Sequence, residues 1–150
     1  MKQAERPAAF WIITCFLAVS MILLLVGQTM ALIDYDFAVE LGLQEDIKDV
    51  SGYGVQINRA FGAGDTIVYI PLTVLSIIGL VRRKRWSLLI TAAAMGVSAY
   101  WATTIVFMLV FLDGVPGYYL EPGLEYWLVT AAYIVFGVWD EPGFGLEEVD

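Results

Sequence analysis

Four long apolar runs, separated by short charged interruptions, constrain this chain more than any other feature. A helix needs about 20 consecutive apolar residues to cross a bilayer. The runs over 8–33, 65–81, 86–112 and 123–139 approach or exceed that length. Hydrocarbon offers no partner to a backbone N–H or C=O, so runs of this kind fold as helices. The expected fold is therefore an all-α integral membrane protein. Four transmembrane helices form a bundle, in a single membrane domain over 1–150. An outer loop of about 30 residues, 34–64, carries short interfacial helices, and residues 140–150 form an acidic tail.

Composition agrees with the runs. Of 150 residues 59% are hydrophobic and only 16% charged, against about 45–50% and 25% in soluble domains. The first run is longer than the roughly 7–15 apolar residues of a signal peptide, so it is expected to stay as a helix. The 34–64 segment carries six acids (Asp34, Asp36, Glu40, Glu45, Asp46, Asp49) and two bases, Lys48 and Arg59. Its apolar residues alternate with polar ones, as in helices that lie on a membrane surface.

Orientation follows from the basic flanks. Lys2 and Arg6 precede the first run, and Arg82, Arg83, Lys84 and Arg85 separate the second from the third. Basic residues stay in the cytoplasm while acids have little influence. Both termini are expected to be cytoplasmic, in a plasma membrane of bacterial inner-membrane type. Loops 34–64 and 113–122 then face outward. Tyr118, Tyr119, Tyr126 and Trp127 mark one interface, and Trp11, Trp86 and Trp139 the other, as aromatic belts do. The four basic residues at 82–85 set this topology and are also candidates for contact with anionic lipid head groups.

Much chemistry is excluded. There is no His, the usual base near neutral pH, and the single Cys15 can form neither an internal disulfide nor a thiol metal site. No metal, cofactor or nucleic acid is expected. Asp34 and Asp36 lack the spacing and glycine of a Ca²⁺ loop. Gly62-Ala63-Gly64 lacks the Lys-Ser/Thr of a phosphate loop. Asp65, which follows it, is expected to cap the second helix, and Pro71 to kink it.

Uncharged polar residues recur at helical spacing within the runs. Thr66, Tyr69, Thr73 and Ser76 share one face of the second. Tyr126, Thr130, Tyr133 and Gly137 do so in the fourth, and Thr91, Met95, Ser98, Ala99 and Ala102 in the third. The first offers Thr14, Ala18, Met21, Leu25 and Gln28. Small and hydroxyl-bearing residues pack helices together, at about 0.6–2 kcal/mol per hydrogen bond. The sharper reading is a pocket in the outer half of the bundle, built from Gln28, Asp65, Tyr69, Trp101, Thr103 and Tyr126, with Thr29 and Thr66 nearby. Amphipathic aromatics with a few polar groups are what small-molecule cavities offer.

The function expected on these grounds is that of a non-enzymatic accessory, assembly or hydrophobic-ligand-binding component. Its partners would be the lipid bilayer and other membrane proteins or further copies of itself. A subunit of an oligomeric transporter or channel is the first alternative, and an enzyme acting on a lipid the weaker one.

Overall fold

The computed structural model describes Arg6 and residues 8–138. Lys2, Trp139 and the acidic tail lie outside the described residues. Five helices follow in order: α1 (Ala8–Ile33), α2 (Tyr35–Glu40), α3 (Ile47–Val81), α4 (Trp86–Leu112) and α5 (Leu124–Gly137). No strand occurs among the described residues. Three of these helices, α1, α3 and α4, are long and apolar enough to cross a membrane, whereas α5 has 14 residues.

The second run differs most from expectation. Its helix does not start at Asp65: it begins at Ile47, so half of the 34–64 segment is continuous with it. Asp65 has helical φ/ψ of −63° and −43°, in mid-helix, and caps nothing. Asp46 is the N-cap, accepting a 2.9 Å hydrogen bond from the Lys48 N–H. Asp34 does the same for α2, accepting at 3.1 Å from the Phe37 N–H. The helical path of α3 is interrupted near its start by Ser51, at φ +61°. The 113–122 connection covers that break: the Tyr119 N–H donates to the Asp49 carbonyl at 2.6 Å, and Gly117, at φ +89°, lies beside Ser51. That φ is accessible to glycine at little cost.

Two helices contain π-helical turns, over Leu24–Thr29 in α1 and Asp65–Tyr69 in α3. The two turns pack against each other. The Thr29 and Thr66 hydroxyls meet there at 2.9 Å, and buried Gly62 lies against the Gln28 carbonyl. The second π turn ends where Pro71 enters, so the proline occupies the first turn of a fresh α-helical stretch. Proline lacks a backbone N–H, and the N–H it lacks is one that a first turn leaves unpaired. The Thr73 hydroxyl turns back to the Tyr69 carbonyl at 2.9 Å.

The polar stripes of α3 and α4 are the buried faces. Tyr69, Thr73 and Ser76 are buried with Asp65 and Leu80, and Thr91, Met95, Ser98 and Ala102 with Ala94. In α1 the buried face is Ile13, Leu17, Ser20, Leu24 and Ala31, turned by one residue from the expected stripe; Leu25 is exposed. Helix α5 packs on α4, with the Ser98 hydroxyl donating to the Tyr133 carbonyl at 3.1 Å. Phe16 of α1 closes the ring against Tyr133 and Phe136, at centroid distances of 5.2 and 4.6 Å.

One end of the bundle is basic. Helix α3 stops with Arg83 in the left-handed region and with hydrogen bonds from the Lys84 N–H to the Gly79 carbonyl and from the Arg83 N–H to the Leu80 carbonyl. This pairing satisfies carbonyls that a helix end leaves open. The Arg6 guanidinium donates to the Val81 carbonyl at 3.0 Å and lies over the Phe10 ring, 4.3 Å from its centroid. The Arg82–Arg85 side chains are exposed at this same end.

Candidate functional site

The helical rise of 1.5 Å per residue places Asp65 about 24 Å from the Val81 end of α3 and Trp101 about 23 Å from the start of α4. The two residues therefore stand at similar height, on neighbouring helices. Between them runs a groove of about 410 Å³. Val68, Val97, Ile57 and Phe61 form its apolar part; Asp65, Tyr69, Tyr100 and Trp101 form its polar and aromatic part. No Lys or Arg lines it.

Asp65 is 5% exposed and Tyr69 1%. Asp65 Oδ2, the Tyr69 hydroxyl and Trp101 Nε1 are buried without a hydrogen-bond partner. Ser98 stands beside Tyr69; its hydroxyl donates to the Tyr133 carbonyl, which leaves its oxygen able to accept from the phenol. Gln28 Oε1 is likewise unpartnered, on the far side of Gly62. Thr91 Oγ1 is a fifth such atom, ten residues before Trp101 and so about 15 Å down the same helix. A buried polar group without a partner costs about 1–3 kcal/mol. Three of the residues that carry such an atom line the same groove, each of the unpartnered atoms lying beneath its surface.

The six residues expected to form one pocket do not all meet. Asp65, Tyr69 and Trp101 line the groove; Gln28 does not, and lies against Gly62 instead. Thr103 is exposed and lies outside it. Tyr126 belongs to a second cluster, at the acidic end, where its hydroxyl donates to Glu45 Oε1 at 3.2 Å.

Glu45, which carried no signal in the sequence, is the hub of that second cluster. It accepts from Asn58 Nδ2 at 2.5 Å, its carbonyl accepts from the Tyr35 hydroxyl at 2.9 Å, and Asn58 also donates to Tyr35 at 3.0 Å. Burial pushes the Tyr35 and Tyr118 phenols above their ordinary values, helped by the Glu45 charge. The cavity beside this cluster is small, about 110 Å³. Its polar atoms already pair with one another, as in a structural network.

The four basic residues at 82–85 stand at the opposite end, far from both clusters. Comparison with known proteins finds no matching family model, no matching curated protein and no matching solved structure.

Proposed function

We propose that this protein is a multi-pass membrane protein of a plasma membrane, bacterial in type, that binds a hydrophobic small molecule without transforming it. In this reading α5 belongs to a fourth span, and both termini are cytoplasmic. The chain would serve as a binding or accessory component beside other membrane proteins. The basic end, where Arg6 meets Val81 and the 82–85 side chains are exposed, is the cytoplasmic one, in keeping with the positive-inside rule. Anionic lipid head groups would gather there.

One observation supports the reading: Asp65, Tyr69 and Trp101, each with a buried side-chain atom that has no hydrogen-bond partner, all line one otherwise apolar groove. Its volume lies in the range of about 300–1,000 Å³ common to small-molecule sites. Packing alone would select partners for those atoms, as it has for Ser98, Thr73 and Ser76. The groove also lies between helices that are apolar outward, so a ligand can enter from the bilayer.

The test is native mass spectrometry of the protein released from membranes, comparing wild type with Val68→Trp. Val68 is half exposed in the groove, so a large side chain there fills the space without invading the bundle. Wild type should retain a small molecule that Val68→Trp does not. Equal retention by a variant of unchanged melting temperature would remove the groove from consideration.

A further inference from the structure

We infer that the groove between α3 and α4 selects a lipophilic cation, an amine or quaternary onium group on an apolar body, with Asp65 as its counter-charge. This deepens the binding reading above and rests on it.

The argument begins with charge. Asp65 is a carboxyl group only 5% exposed, and among the described residues it takes part in no ion pair. A carboxyl group removed from water either keeps its proton or is matched by a positive charge. The lining of the groove supplies none. Arg59, the base nearest in sequence, is spent at the surface, where it donates to the Leu32 carbonyl at 3.4 Å.

The second observation is the company Asp65 keeps. Phe61, Tyr69, Tyr100 and Trp101 line the same groove. Aromatic faces attract a cation by about 0.5–2 kcal/mol each, more when water is excluded. Rings around a single acid, within an apolar wall, are the chemistry that recognises an onium group. An anionic ligand would meet the Asp65 charge with no base to balance it.

A neutral ligand is the competing occupant. Tyr69 and Trp101 could donate to one of its oxygens, and Asp65 would then add little. Two probes of similar shape separate these cases: tetraphenylphosphonium, a cation without hydrogen-bonding groups, and triphenylphosphine oxide, a neutral acceptor. Binding is measured by equilibrium dialysis against the protein in phosphatidylcholine nanodiscs, with empty discs subtracted. Wild type should hold the phosphonium at least ten times more tightly than the oxide. Asp65→Asn should weaken phosphonium binding about tenfold and leave the oxide unchanged. Val68→Trp should abolish both.

If the oxide binds as well as the phosphonium, or Asp65→Asn leaves the phosphonium unchanged while Val68→Trp still abolishes binding, the cation inference is overturned and the groove remains. If neither probe exceeds empty discs and Val68→Trp retains the same small molecules as wild type, the groove itself is overturned. Melting temperatures of the variants in the same discs identify any loss caused by unfolding.

Discussion

Replacing Gly62 by alanine should loosen the joint between α1 and α3, whereas the same change two residues later should tighten the helix. A Cβ at position 62 would lie 2.6 Å from the Gln28 carbonyl oxygen and 3.4 Å from its carbon. Those are backbone atoms, which cannot rotate aside. Restoring an ordinary contact of about 3.4 Å means moving the two π turns apart by roughly 0.8 Å. The Thr29–Thr66 hydroxyl pair, now at 2.9 Å, would stretch to about 3.7 Å, beyond hydrogen-bonding range. Overpacking of this kind costs about 1–3 kcal/mol, and the lost bond about 0.6–1.7. Alanine returns about 1 kcal/mol in helix propensity. The net for Gly62→Ala is a loss of about 1–3 kcal/mol. At Gly64 nothing lies within 4 Å of the added carbon, so Gly64→Ala should gain up to about 1 kcal/mol. Reversible unfolding in mixed micelles, titrated with dodecyl sulfate and followed by far-ultraviolet circular dichroism, gives both values. Adding Thr66→Val should cost less in the Gly62→Ala background than in wild type. If Gly62→Ala is as stable as Gly64→Ala, the π turns are not held by close approach and the argument fails.

The α4–α5 contact has its own matched pair. Gly137→Leu would drive a side chain into the Met95 carbonyl and the Ala99 methyl, both 2.6 Å from the added Cβ, while Gly96→Leu meets open space. The first should therefore lower the melting temperature and the second should leave it within a degree or two, an order that equal melting temperatures would contradict. The Tyr35 phenol is held above its ordinary value of 10.0 chiefly by burial, so its neutral form is the one the fold prefers. That stabilisation is complete below the unfolded value and is lost as pH rises through the folded one. Stability should fall more steeply between about pH 9 and 11 in wild type than in Tyr35→Phe, and parallel profiles would exclude the linkage. Exchanging Arg82, Arg83, Lys84 and Arg85 for Gln should weaken the orientation bias, read by reporter fusions at Asp150 and within residues 45–51, and reduce the anionic lipid carried through purification. Unchanged lipid would leave the cluster a topological role alone.

Helix faces were readable where polar residues mark them. The stripe Thr91, Met95, Ser98 and Ala102 is buried as its spacing implies, on an α4 that runs from Trp86 to Leu112. In α1 the spacing points one residue away from the buried face, already at Ile13 and Leu17 ahead of the π turn, because that run is apolar on nearly every side and little marks the face that turns inward. Gly62-Ala63-Gly64 resembles punctuation, which is why Asp65 was expected to be a cap. The glycine at 62 instead admits a neighbouring backbone, and the helix continues through it. Of the pocket residues, Asp65, Tyr69 and Trp101 were legible as a level shared by two helices. Thr103 occupies the same level but faces outward. Tyr126 was drawn away by Glu45, a residue in an irregular segment whose partner Asn58 lies 13 positions on; no periodicity connects such a pair.

The bond from Arg6 to the Val81 carbonyl closes the basic end of the α1–α3 pair. The acceptor is 75 residues downstream of the donor. Donor and acceptor sit at the entry of one long helix and the exit of the next. They meet because α1 and α3 run in opposite directions, so a single exposed bond ties together two helix ends that are remote along the chain.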